Sequence, residues 1–513
     1  MNRAMQKDSR IEKIGVIIIL AGVAIRIPFL FLPLTYGSDV WRQADTASIA
    51  RHFFINGYNI LHPQIYWGGA GPGYVESEFQ LYPFIVAILY KVFGEHLLLG
   101  RLVSLLFSIG TLKVFHSMAR RVIGESGALW GLGFLTIAPI FIRYSVAFTP
   151  ESTMMFFYVV SISAFIQWLD DDSNLSLVVA AISASLAVLV KGTPIQLGVL
   201  FILLVFFRKR WSVFRRWDLW VAAIVGLLPP ALWFLYARKL YLTYGNTFGI
   251  LSGGDSKLGG LKYWLDPHFY VKTASLDVVW ICAGAGAVGF ALGLAWALKT
   301  GKYHLLMAGM ITLFLYYLAV ARYAQEGWGI QYHIFAVPFA ALGIGMGMDW
   351  LDLRFHNRKS MVFAWMIAVA TLVGSSVLYF RMMSDEGNAK GRMLIHCAEA
   401  VKRMVPEGTR IVVSTTELAL ENGVPNNYEE PNIFFYSDRY GWSLPADRHD
   451  PDLLEKYRKM GAGYFVIYSR ELLEANPRLA HYLETQCTQV GPGIEAGCGI
   501  YLLGKKVEMQ APV

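Results

Sequence analysis

IGVIIILAGVAIRIPFLFLPLTYGSDVWRQADTASIARHFF, residues 14–54, is the stretch that decides the fold. Its first part, Ile14 to Leu34, carries one charge, Arg26. At 1.5 Å per residue it is long enough to cross about 30 Å of hydrocarbon. No small-residue cleavage site follows, so the segment reads as a retained span and not as a signal peptide. Polar residues then arrive at once. Asp39 sits at the helix exit, and from Asp45 the spacing of Ile49, Phe53 and Phe54, flanked by Arg51 and His52, is that of an amphipathic helix at a membrane surface.

The same arithmetic finds further apolar segments at about Gly100–Ala119, Ala128–Phe148, Ser152–Leu169, Leu175–Val190, Ile195–Phe207, Trp217–Tyr236, Val278–Leu298, Leu305–Val320, Ile334–Leu351 and Met361–Phe380. The expectation is a polytopic all-α membrane protein of about eleven helices. Composition agrees. Of 513 residues 55% are hydrophobic and 16% charged, against about 25% charged in a soluble domain, and mean hydropathy is +0.43. A soluble enzyme is disfavoured, and the net charge of +8 lacks the polar reading surface of a nucleic-acid binder.

Basic residues mark the cytoplasmic side of short loops. Arg3, Lys7, Arg10 and Lys13 precede the first span, Lys113, Arg120 and Arg121 follow the second, and Arg208, Lys209, Arg210, Arg215 and Arg216 separate the sixth from the seventh. Lys299, Lys302, Arg354, Arg358 and Lys359 complete one face if the spans alternate. This places the N-terminus in the cytoplasm and the C-terminus outside, in a multi-pass protein of the cytoplasmic (inner) membrane. The acidic run Asp170, Asp171 and Asp172 falls on the cytoplasmic face without a cation of its own.

The partition expected is a membrane part, residues 1–384, with outer loops at about 35–99 and 238–276, and an extracytoplasmic segment, residues 385–513. The apolar stretch Tyr82–Phe93 is too short to span and reads as an interfacial helix. In the tail, helices at Leu394–Met404 and Leu453–Met460 alternate with strands at Arg410–Ser414 and Tyr464–Tyr468, the pattern of a small α/β domain. The tail has 14 Lys+Arg against 18 Asp+Glu, a net of −4, so the membrane part holds +12. Cys487 and Cys498 are close enough in sequence for a disulfide in an oxidising compartment, or are two free thiols.

Acidic residues at span edges are the candidates for chemistry, because an ionisable group beside hydrocarbon is costly unless paired or in use. Asp39 and Glu151 both fall on the outer face and could share one cavity. Each also has a purely structural reading: Asp39 as the cap of the helix after it, and Glu151 in the first turn of a helix capped by Thr149. Arg26 and Arg101, near or within spans, pair with acids or reach the interface. Lys191, Arg238, Lys239, Lys262, Lys272 and Arg322 lie on the outer side and could hold an anion, although interfacial cations also snorkel to lipid headgroups. Tyr323, Trp328, Tyr332 and His333 read as contacts to a ligand or as an aromatic belt. Trp67 and the glycine-rich run after it, to Gly73, read as a hinge or an ordinary loop.

The order of these features resembles a known family. A span, an Asp at its exit, an amphipathic loop helix, then LYPFIVAILYKVFGEHLLLGRLVSLLFSIGTLKVFHSMARRVIG, APIFIRYSVAFTPE, LAVLVKGTP and RYAQEGWGIQYHIFAVPFAAL are similar to the GT-C membrane glycosyltransferases of the protein O-mannosyltransferase and aminoarabinose transferase type. The resemblance covers roughly residues 10–350 and lies in the ordered set. It implies transfer of a hexose or pentose from a polyprenyl-phosphate carrier to a lipid, glycan or protein acceptor at the outer face, with membrane lipids as surroundings and no nucleic acid. It also implies Asp39 as catalytic base, Glu151 as the second-loop acid, and Lys191 in a Lys-Gly pair. Where relatives often carry Lys-Pro-Pro, this chain has Glu76-Ser77-Glu78-Phe79-Gln80.

Such a reaction needs a base for the acceptor hydroxyl and cations for the departing phosphate. Arg42, Asp45, Glu76, Glu78 and His333 join the candidate substrate ligands. No cofactor is required by the sequence. A divalent metal is possible on Asp39, Glu151, Glu76, Glu78 and His52, although these are spread over separate loops. The alternative from another class is a transporter or flippase for a lipid-linked glycan, disfavoured because no repeated halves are visible.

Overall fold

A computed structural model describes residues 2–36, 39–209, 215–253, 259–355, 358–384, 388–421 and 423–504; Arg210, among the expected cytoplasmic cations, lies outside them. The chain divides into two compact units. One comprises Met1–Leu32, Arg101–Trp233 and Lys257–Met383; the other comprises Pro33–Gly100, Phe234–Ser256 and Ser384–Val513. The second unit gathers three separate segments of the chain.

Among the described residues six helices are long and apolar enough to cross a membrane: Ile11–Phe31, Leu97–Ile123, Glu151–Asp171, Trp217–Tyr244, Gly327–Leu351 and Met361–Met383. Asn174–Val190, Thr193–Arg208 and His304–Ala319 are apolar but shorter. Two expected straight spans are broken. The span expected at Ala128–Phe148 is two helices, Glu125–Ile137 and Pro139–Tyr144, because Ala138 precedes a proline and leaves the helical region. The span expected at Val278–Leu298 bends by 104° between Pro267–Ile281 and Gly286–Thr300, where Ala283 and Gly284 take positive φ. Trp217–Tyr244 runs past its expected end, so Arg238 and Lys239 lie on helix and not in a loop.

Burial sorts the helices. The window of Gly327–Leu351 is 89% buried, that of Trp217–Tyr244 only 17%, so the first is the axis of the unit and the second presents its apolar side chains outward. Glycine allows the axis to be approached. Gly289 and Gly293 of Gly286–Thr300 meet Gly343 and Gly347 of Val337–Phe355, and a Cβ at Gly293 would lie 1.7 Å from the Gly343 carbonyl oxygen. Arg26 is buried, with no acid against it among the described residues: its guanidinium donates to Ser145 Oγ at 2.6 Å and to the carbonyls of Gly22 and Thr136. Arg101 donates to the Val146 carbonyl. The run Asp170–Asp172 does have cations, supplied by other segments: Arg121 and Arg208 bond Asp170, Arg121 also bonds Asp171, and Arg216 bonds Asp172.

The second unit holds the helices Val40–Ile55 and Leu81–Phe93 and a five-stranded sheet. Its order is Gly441–Leu444, Arg410–Ser414, Ala462–Ile467, Gly499–Leu503, Cys487–Gln489, the first three parallel and the last two antiparallel. Parallel strands are covered on both faces, so they read as continuous apolar runs such as Ile411-Val412-Val413. Val412, Phe465 and Ile467 pack with Leu454, Leu479 and Leu483 from the covering helices. The disulfide joins Cys397 to Cys498 and leaves Cys487 a buried free thiol. A Cys487–Cys498 bond is ruled out by register: Cys487 pairs with Leu503, at the opposite end of the strand that Cys498 precedes, roughly 17 Å away at about 3.3 Å per residue. The glycine-rich run is an anchored loop and not a hinge, since Gly69 N–H donates to the Gly441 carbonyl and Ile65 N–H to that of Gly73.

Candidate active site

Asp39 immediately precedes the helix Val40–Ile55 and sits in the left-handed region, φ 53° and ψ 39°. Asp tolerates this conformation better than most residues, but it remains a local cost of a kind found at functional sites. Its carboxylate does not cap the helix, so the capping role expected from sequence is absent. One turn on, the Arg42 guanidinium bonds Glu78 and lies 4.7 Å over the Phe248 ring. The two anions in the Glu76-Ser77-Glu78 run are thus treated differently: Glu78 is neutralised by Arg42, and Glu76 accepts from the Thr247 hydroxyl at 2.6 Å. That contact follows from a two-residue parallel ladder, Val75–Glu76 against Asn246–Thr247. Glu76 Oε1 is buried with no hydrogen-bond partner among the described residues.

Asp45 is 1% exposed. Its Oδ1 accepts from Trp67 Nε1 at 2.9 Å, and its Oδ2 has no partner among the described residues. Burial pushes its carboxyl up to about 8, while the Trp67 hydrogen bond and the Arg42 charge pull it down. Glu429 and Glu430, from the tail, raise it further. His52, one of the possible metal ligands, is buried between the Ser48 carbonyl and the Tyr440 hydroxyl, and burial lowers it to about 4. Among the described residues no three His, Cys, Asp or Glu side chains converge as a metal site.

In the first unit, Glu151 opens the helix Glu151–Asp171. Thr149 does not cap it; Pro150 occupies the cap position. Lys191, at the end of Asn174–Val190, places Nζ 2.5 Å from Glu151 Oε1 and 5.7 Å from the Tyr332 ring centroid. The side chains are 3% and 13% exposed, so this is a nearly buried ion pair. An ammonium has three donors, so Lys191 can hold Glu151 and still donate to a phosphate oxygen.

His333 is fully buried with both ring nitrogens facing protein acceptors, Nδ1 at 2.6 Å from Asp277 Oδ1 and Nε2 at 2.8 Å from the Ala324 carbonyl. Tyr317 also donates to Asp277. His333 therefore ties down the short helix Ala321–Ala324 that carries the half-buried Arg322, and is not a free ligand. Asp277 and Tyr317 escaped the sequence reading; an acid at the edge of an apolar segment was the available signal. Arg238 and Lys262 are exposed on helix surfaces, and Lys272 pairs with Glu326 at 3.8 Å.

These features, apolar helices with acids and cations at their ends together with an α/β sheet, are those of a membrane protein. Residues 80–235 match the family described as dolichyl-phosphate-mannose-protein mannosyltransferase. The fold is similar to that of ArnT from Cupriavidus metallidurans bound to undecaprenyl phosphate, with TM-score 0.62 and 13% identity over 96% of this chain and 99% of that one. It is also similar to the oligosaccharyltransferase AglB from Archaeoglobus fulgidus in complex with an inhibitory peptide and a dolichol-phosphate, with TM-score 0.60 and 13% identity over 99% and 75% of the two chains. An uncharacterized protein of Aquifex aeolicus is 24% identical over 304 residues. The chain spans 58% of that relative's length.

Proposed function

We propose that the protein transfers a sugar from a polyprenyl-phosphate donor to an acceptor hydroxyl at the outer face of the cytoplasmic membrane. Asp39 takes the proton of the acceptor hydroxyl, the hydroxyl oxygen bonds the anomeric carbon, and the bond from that carbon to the phosphate oxygen breaks. Lys191 and Arg322 stabilise the charge left on the phosphate. Glu151 keeps the Lys191 ammonium in place, a positioning role in contrast to the catalytic one expected from sequence. The observation that carries this reading is Asp39 itself, held in a left-handed conformation immediately before the helix Val40–Ile55. Support comes from the lipid phosphates in the two similar structures.

The test is Asp39→Asn in purified protein supplied with a polyprenyl-phosphate sugar and assayed for release of free polyprenyl phosphate. Transfer is expected to fall at least 100-fold with insertion and yield unchanged. Release at the wild-type rate would remove Asp39 from the chemistry. Movement of an intact lipid-linked sugar across vesicles, with no release, would favour the transporter.

A further inference from the structure

We propose that the groove between the helices Asn174–Val190 and Trp217–Tyr244 binds one anionic phospholipid. The groove encloses about 580 Å³, room for roughly 20 water-sized groups and so for the bulk of one acyl chain. Its walls are apolar, with Leu177 and Val178 on one helix and Val221 and Val225 on the other. Polar residues gather at one end only, where Asn174, Arg215, Arg216, Trp217 and Asp218 line it. An apolar trough with a polar mouth matches an amphiphile and no soluble metabolite.

The charge at the mouth selects the headgroup. Arg216 is braced, bonding Asp218 at 2.7 Å and Asp172 at 2.7 Å with its guanidinium 5.2 Å from the Trp168 ring. That arrangement neutralises Asp218. Arg215 is exposed and makes no ion pair or hydrogen bond among the described residues. Beside the braced Arg216, the Arg215 guanidinium has no partner among the described residues and can serve as a bidentate partner for a phosphate diester. Trp217, 76% exposed, adds an aromatic of the kind that settles at headgroup depth. Basic pockets between membrane helices bind anionic headgroups by this combination.

The site is separate from the candidate catalytic residues. Asn174 and Lys191 bracket the helix Asn174–Val190, whose 17 residues are about 25 Å long, most of the hydrocarbon thickness. The groove mouth therefore meets the leaflet opposite the Glu151–Lys191 end, and the inference does not depend on the proposed reaction.

The full chain, purified in a zwitterionic detergent, is titrated with phosphatidylglycerol and with phosphatidylcholine of identical acyl chains, and retention of one lipid is followed by native mass spectrometry. Phosphatidylglycerol is expected to be retained and phosphatidylcholine not. Arg215→Gln should weaken retention about fivefold, the effect of one cation at an anionic surface, while Arg215→Lys keeps most of it. Glycerol 3-phosphate, a headgroup without chains, should not compete. Equal retention of the two lipids, wild-type retention by Arg215→Gln, or competition by glycerol 3-phosphate would each overturn the proposal.

Discussion

Lys191→Met removes the cation from Glu151, a carboxylate whose side chain is 3% exposed. Breaking a buried ion pair from one side costs about 3–5 kcal/mol, because the remaining charge keeps its desolvation penalty without its attraction. At roughly 2 °C per kcal/mol for a unit of this size, the midpoint of thermal unfolding in detergent should fall by about 6–10 °C. Glu151→Gln should cost less, since a lysine at a helix end can turn toward water. The double variant Glu151→Gln/Lys191→Met should recover most of the loss, as paired charges replaced together by neutral groups of similar volume often leave stability unchanged. Donor turnover separates the second role. In the stable double variant the Michaelis constant for donor should stay at least tenfold raised, because the phosphate has lost its ammonium. Strictly additive unfolding shifts would show that the two side chains are not coupled. A normal Michaelis constant in the double variant would remove Lys191 from the donor site.

Asp45 makes a prediction in pH. Its carboxyl is raised from 3.8 to about 8 in the folded protein, so the folded state holds that proton more tightly than the unfolded chain. The stabilisation is complete below about pH 4 and is lost as the pH rises toward 8. Asp45→Asn, which keeps an acceptor for Trp67, should flatten the decline in melting temperature between pH 5 and 8, and superimposable profiles would refute the assignment. Glu429, raised to about 7, titrates in the same window and is common to both profiles. Cys397→Ser should destabilise the tail by about 4–5 kcal/mol, the chain-entropy value for a loop of about 100 residues, whereas Cys487→Ser should change it by far less. A non-reduced peptide map joining Cys487 to Cys498 would contradict the pairing.

Local pattern carried much of the fold. The helix Leu81–Phe93 and the strand Arg410–Ser414 stand where apolar spacing puts them, and the apolar runs are helices. Partnerships across the chain had no local signature. Cys397 and Cys498 are 101 residues apart, so the nearer Cys487 looked the better match. His333 reads as one member of an aromatic cluster until Asp277 is beside it. The break at Ala283 is hidden because Ala, Gly and Val satisfy a hydropathy window whether or not the helix is straight. The acidic run Asp170–Asp172 looked unbalanced only because Arg121, Arg208 and Arg216 come from three other segments. At the candidate site the residue types were legible, but whether a charge is neutralised or left open depends on which helix end faces which.

The Cys397–Cys498 bond imposes an order on biosynthesis. The ribosome delivers Cys397 first and Cys487 before Cys498, so for the time taken to make the intervening residues the only downstream thiol is the wrong one. An early oxidation would trap Cys397 with Cys487 and keep Cys487 from its place in the sheet core. Correct closure therefore waits for the last strand, and a cell lacking disulfide-exchange capacity should accumulate mispaired chain even when every helix has inserted.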